Sequence, residues 1–178
     1  MGRIDGGRDF ESLVLPHLDA AYNLARWLVR DAVAADDVVQ EAVVRALTYF
    51  ASFRGENARG WLLQIVRNAA YASMKLDRGL RTVPLAAGDD SSAAASEPVD
   101  PADDPENALL KARAHESLDR LLAALPVELR ETIVLRELEE LAYKDIAQIT
   151  DVPIGTVMSR LWRARRLLAE AAQREAVT

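Results

Sequence analysis

The sequence predicts an all-α protein: two small helical domains joined by a flexible acidic linker, the second a four-helix domain containing a helix-turn-helix. Three observations lead there. Apolar residues recur at helical spacing through both ends of the chain, and nothing alternates with period two over a useful length. A middle segment, residues 77–107, has neither period and holds four of the seven prolines. Half of the 178 residues are hydrophobic, enough for two small cores.

The first domain is assigned to residues 1–76. Leu13, Leu18, Tyr22, Ala25 and Val29 keep roughly helical spacing. Val39, Val43, Ala46, Leu47 and Phe50 form a second stripe, and Trp61, Leu62, Ile65, Val66, Asn68 and Ala69 a third. Asp36 and Asp37 are expected in the first turn of the second helix, where carboxylates favour the positive end of the helix dipole.

Residues 77–107 carry eight acidic side chains against Arg78 and Arg81, together with a Ser/Ala run. Such a segment buries too little apolar surface to offset the entropy of ordering, so it is expected to be a tether. The whole deficit behind the net charge of -6 sits here. Residues 1–76 carry nine acids and nine bases, and residues 108–178 eleven of each. Either flank can therefore hold a local basic face.

Residues 108–178 form the second domain, whose first helix is expected to begin near Pro105. That helix runs to Leu125 with Leu118, Leu121 and Leu122 on its apolar side. Pro126 opens a second helix through Ile133, Val134 and Leu138, since proline suits a first helical turn. A short helix from Tyr143 to Ile149, the stretch Thr150-Asp151-Val152-Pro153, and a long helix from Ile154 to Ala172 complete the domain. Short helix, tight turn and longer basic helix make the helix-turn-helix pattern.

On a helical wheel, Val157, Leu161, Ala164 and Leu168 share one narrow stripe that must face the core. Thr156, Ser159, Trp162, Arg163 and Arg166 lie opposite, with Arg160 and Arg165 flanking them. Four arginines and no acid fall between Ile154 and Ala169. A core stripe backed by Thr, Ser and Arg suits a helix that reads the major groove. Arginine can bond two guanine acceptors at once while flanking cations hold phosphates.

Composition narrows the other classes. Without cysteine there is no disulfide framework and no thiolate-bound metal. His17 and His115 are the only histidines, and no HExxH, Walker loop or GxSxG accompanies them, so neither an enzyme, a metal site nor a cofactor is expected. No apolar run suits a signal peptide or approaches the ~20 residues of a spanning helix, so a cytoplasmic protein without membrane insertion is expected.

The stretch LPVELRETIVLRELEELAYKDIAQITDVPIGTVMSRLWRARRLL resembles the promoter-binding C-terminal domain of extracytoplasmic-function sigma factors. AADDVVQEAVVRAL resembles that family's polymerase-binding helix, and FRGENARGWLLQIVRNAAYASMK its promoter-melting segment. The resemblance implies a factor that binds core RNA polymerase and directs initiation at promoter DNA, held in check by an anti-sigma factor. It assigns Asp37, Gln40 and Glu41 to the polymerase clamp. Asn57, Arg67, Asn68, Tyr71 and Lys75 fall in the minus-ten segment, where aromatic and cationic side chains capture unstacked bases. Thr156, Ser159, Arg160, Trp162, Arg163 and Arg166 would read the minus-thirty-five element. A helical inhibitor inserted between the two domains would cover both polymerase-facing surfaces.

Three positions depart from the family pattern. Ala142 stands where a serine usually caps the short helix, a loss of ~1 kcal/mol that packing must offset. Asp151 replaces a glycine, and Asp tolerates the left-handed conformation better than most residues. Met158 replaces a Lys or Arg, removing one expected DNA contact.

Overall fold

The computed structural model describes residues 6–80 and 105–176, and within them every regular element is helical. Helix α1 (Gly6–Val14) leads through a 3-10 turn at Leu15–His17 into α2 (Leu18–Val29). Pro16 lies in that turn, where its missing N–H costs no helical hydrogen bond. The expected first stripe therefore spans two helices, and Leu13 is exposed.

Helix α2 ends at Arg30, which adopts the left-handed conformation with φ 61° and donates its N–H to the Arg26 carbonyl. Helix α3 (Ala32–Tyr49) follows, capped by Asp31, whose Oδ1 accepts from the Ala34 N–H at 2.7 Å. Because Asp31 takes the cap, the helix starts earlier than expected, and Asp36 and Asp37 lie beyond its first turn.

The buried stripe of α3 is Ala35, Val38, Ala42 and Ala46, of which Ala46 was expected and the others lie one position or more from the expected stripe. Small residues let α3 approach α2 and α4 closely, while Val39 and Val43 sit at the margin and Leu47 is exposed. After a second 3-10 turn (Phe50–Ser52) comes α4 (Ala58–Leu80), buried along Leu62, Leu63, Val66, Ala69 and Ala70. Phe10, Phe50, Phe53 and Trp61 form a ring cluster at one end, with Phe53 and Trp61 centroids 4.8 Å apart, so Phe50 and Trp61 are packing residues. Helix α4 runs to Leu80, four residues into the segment read as linker; the remainder of that segment up to residue 104 lies outside the described residues.

The second body holds α5 (Pro105–Ala123), α6 (Val127–Ile133), α7 (Tyr143–Thr150) and α8 (Ile154–Ala176). Pro126 is the N-cap of α6. That helix continues as a π-helical segment, Val134–Leu138, closed by the Glu139 N–H on the Val134 carbonyl. Leu122, Leu129, Ile133, Leu135, Ile146, Ile149, Val157, Leu161 and Ala164 pack the core. Ala142 offers α7 no side-chain cap, and Asp151 takes the left-handed conformation expected of it, φ 54° and ψ 47°.

The two bodies are not held apart. Helix α4 packs on α7 and α2 on α6, and the buried apolar residues of both bodies make one contiguous core. A polar seam runs alongside. Asn23 and Arg59 each donate to Glu139 at 2.6 Å, and Arg67 and Arg160 converge on Glu131. The first body docks through α2 and α4, so the α3 surface expected to meet an inserted partner stays exposed.

Candidate nucleic-acid interface

The helix-turn-helix is built by α7, the left-handed Asp151 and α8. Asp151 donates its N–H to the Ala147 carbonyl and reverses the chain without glycine. Pro153 then starts α8, its carbonyl accepting from Thr156 at 2.9 Å and Val157 at 3.2 Å. Val157, Leu161 and Ala164 are buried as the wheel requires, which forces the opposite side outward. Ser159, Trp162, Arg163 and Arg166 are exposed, Trp162 by 62%, and Thr156 is half-buried.

Two arginines of this helix are otherwise engaged. Arg165 donates twice to Glu137, at 2.6 and 3.2 Å, which holds its guanidinium more firmly protonated than usual. Arg160 turns toward α6 of its own body, its side chain 20% exposed and 3.4 Å from Glu131. Arg166 lies against the Trp162 ring at 5.6 Å and pairs with Glu170 at 2.8 Å, so it reaches outward on a stiffened arm.

Helix α4 divides the second set of residues. Asn68 and Lys75 are exposed; Asn68 therefore serves no buried backbone group. Asn57 caps the helix, its Oδ1 accepting from the Gly60 N–H at 2.8 Å while its Nδ2 reaches Asp145 at 3.4 Å. A Cβ at Gly60 would lie 2.6 Å from the Asn57 amide nitrogen, so a larger residue there would displace the Asn57 side chain.

Arg67 and Tyr71 face the second body instead of solvent. Arg67 donates to Glu131 from Nε at 2.8 Å and from Nη2 at 3.2 Å, and its guanidinium lies over the Tyr71 ring at 4.4 Å. Burial opposes the charge on Arg67, but the bonds and charge of Glu131 outweigh it and raise its pKa. The Tyr71 hydroxyl is buried beside the Glu131 carboxylate. Burial, and then the negative charge of Glu131, push that phenol up.

Glu131 is fully buried, at 0% exposure. Burial raises its carboxyl above the usual carboxylate range, against the opposing pull of Arg67 and Arg160. Sequence reasoning missed Glu131, Glu139 and Arg59. The available signal was an acid enclosed by apolar neighbours, Leu129-Arg130-Glu131-Thr132-Ile133, whose enclosure is compatible with a charge only if cations meet it.

Asp36, Asp37, Gln40 and Glu41 are all exposed on α3, with Glu41 paired to Arg45 one turn on. Val33, Val44, Leu47 and Tyr49 are exposed on the same helix. Among the described residues there is no cluster of side chains able to hold a metal, and no helix is long and apolar enough to cross a membrane.

Comparison with known proteins gives matches in both bodies. Residues 13–78 match the family Sigma-70 region 2, and residues 115–168 match Sigma-70, region 4. The chain is similar to the RNA polymerase sigma-H factor of Pseudomonas aeruginosa, 34% identical over 93% of this chain and 87% of the relative. It is 36% identical to the ECF RNA polymerase sigma-E factor of Haemophilus influenzae over 84% and 79% of the two chains. Among solved structures it resembles the sigma factor RpoE, crystallised with the anti-sigma factor NepR, from Bartonella quintana. That match has a TM-score of 0.71 and 27% identity, covering 93% of this chain and 98% of that one.

Proposed function

The chain belongs to the sigma-70 family in its extracytoplasmic-function branch, and we propose that it binds core RNA polymerase through α3, opens the minus-ten element with α4 and reads the minus-thirty-five element with α8. The carrying observation is the outward face of α8, where Ser159, Trp162, Arg163 and Arg166 stand exposed behind a core-facing stripe. Arg163 and Arg166 supply donors for base edges or phosphates, and Trp162 supplies apolar surface for a thymine methyl. Met158 gives this face one cation fewer than the family pattern, which shifts promoter preference.

On α3, Asp37, Gln40 and Glu41 meet the polymerase clamp beside the exposed Val44 and Leu47. Asn57, Asn68 and Lys75 receive the opened strand, joined by Arg67 and Tyr71 once the two bodies part. The arrangement is that of an initiation factor acting in the cytoplasm with polymerase, not of an enzyme. Two helical bodies, one ending its last helix at Leu80 and the other opening at Pro105 with an acidic sequence between them, suit two DNA elements read at once. An anti-sigma protein is the expected control, in keeping with the relative crystallised with one.

The test is assembly with purified core polymerase, followed by size-exclusion chromatography. The wild-type chain should co-elute with core, and a chain carrying Gln40→Ala and Glu41→Ala should do so less. Equal co-elution of both would remove these residues from the polymerase surface.

A further inference from the structure

Two arginines converge on one carbonyl at the corner where α2, α5 and α6 meet. Arg30, at the end of α2, and Arg130, on α6, each donate from Nη1 to the Ala123 oxygen, both at 3.4 Å. An N–H to carbonyl bond is ordinarily about 2.9–3.0 Å, so neither cation is closely held. Arg30 is exposed, whereas Arg130 is only 7% exposed and its buried Nε has no hydrogen-bond partner. Among the described residues no carboxylate forms an ion pair with either one.

A buried cation thus faces a second cation. By contrast, Arg67 and Arg160 meet Glu131, and Arg59 meets Glu139. Burying a charge is costly unless an opposite charge lies beside it. Burial, and then the positive charge of Arg30, hold the Arg130 pKa below its ordinary value. A bound anion offsets both effects at once. We propose that this corner is an anion site, where Arg30 and Arg130 together grip a phosphate dianion, either free phosphate or the terminal phosphate of a nucleotide.

The donors set the ligand class. A guanidinium presents paired N–H groups that match two oxygens of a tetrahedral oxyanion, and two guanidiniums from different helices can hold two of its edges. Both distances end on one atom, which brings the two side chains within reach of a single small anion. The exposed Arg30 leaves that side open to solvent, and the enclosure of Arg130 suits a compact ion rather than a nucleic-acid backbone. The site lies apart from the outward face of α8 and does not rest on the sigma-factor reading.

The competing account is a helix cap, with both arginines serving only the carbonyl at the end of α5. Glutamine separates the two accounts, because it can still donate to Ala123 but carries no charge. Isothermal titration of inorganic phosphate into the full chain, at constant ionic strength in chloride, measures the site. Wild type should bind, and Arg30→Gln and Arg130→Gln should each bind about tenfold more weakly or worse, the worth of one charge-assisted hydrogen bond. Arg30→Gln alters an exposed side chain, so the result does not depend on how Arg130→Gln folds. Arg113→Gln, the same change on an exposed position of α5, should bind as wild type does.

Titrations with ADP and adenosine separate the sources. ADP binding tighter than inorganic phosphate assigns the site to a nucleotide, and equal or weaker binding assigns it to free phosphate. Adenosine binding as tightly as ADP would mean that the base and not the anion is held, which overturns the site. Wild type that takes neither phosphate nor ADP, or that binds no better than the Arg30→Gln chain, leaves the two arginines as a cap and overturns it equally.

Discussion

The Glu131 carboxylate accepts two hydrogen bonds from Arg67, 64 residues earlier in the chain, at 2.8 and 3.2 Å. Glu131 is fully buried and Arg67 only 17% exposed. Arg67→Ala should therefore destabilise the free chain by about 3 kcal/mol, because it leaves a buried carboxylate with only the longer Arg160 contact. Replacing both residues by leucine should restore most of that loss. Urea unfolding of the three chains measures it, and an equal loss in the double variant would show that the pair attracts more than its desolvation costs.

The same carboxyl predicts a pH dependence. Burial raises the Glu131 pKa above its ordinary 4.5, so the folded chain holds that proton more tightly than the unfolded one. Its contribution to stability is then fullest below pH 4.5 and is lost as pH rises through the folded value. The stability difference between wild type and Glu131→Gln should shift against wild type from pH 4.5 toward neutrality. A difference that moves the other way would mean that the arginines, not burial, set the titration.

Arg163 is exposed on the outward face of α8. Arg163→Ala in the holoenzyme should cost ~1–3 kcal/mol of binding to promoter duplex and relax preference at one base pair. Competition against single-base promoter variants reads this directly. An equal loss on every sequence would assign Arg163 to phosphate.

Glu41 pairs with Arg45 on the surface of α3, with both side chains nearly half exposed. Exposed pairs of this kind contribute ~0.3–0.5 kcal/mol, so Glu41→Ala should leave thermal unfolding almost unmoved while weakening the complex with core polymerase. A large stability change would return Glu41 to a structural role.

What the sequence made legible follows the physics of short range. The stripe Val157, Leu161, Ala164 and Leu168 was readable because one helix buries it within its own body, and its burial fixes the face that Arg163 and Arg166 present. Asp151 was readable as a left-handed turn from its side-chain chemistry. The α3 stripe was placed correctly at Ala46 and misplaced elsewhere, because Ala35, Val38 and Ala42, not the larger Val39, Val43 and Leu47, form the close seam with α2 and α4. Hydrophobicity alone ranks the wrong residues there.

The docking of the two bodies was not legible. It depends on Glu131 meeting Arg67, and on Glu139 meeting Arg59 and Asn23, across separations of 64 to 116 residues. No local period encodes such pairings. The acidic stretch between the bodies pointed toward separation, whereas the apolar faces of α4 and α7 join them into one core. Arg67, Tyr71 and Arg160 were thus placed in DNA-facing sets on sound chemistry, yet in this structure they face the interior seam.

Transcription with purified components decides whether this chain directs initiation. Core polymerase, this chain and a promoter selected from a random library by their complex should yield a transcript of defined start. That transcript should vanish without the chain and fall sharply with Arg163→Ala and Arg166→Ala together. Transcription from the selected DNA that is indifferent to the presence of the chain would rule out a role in initiation.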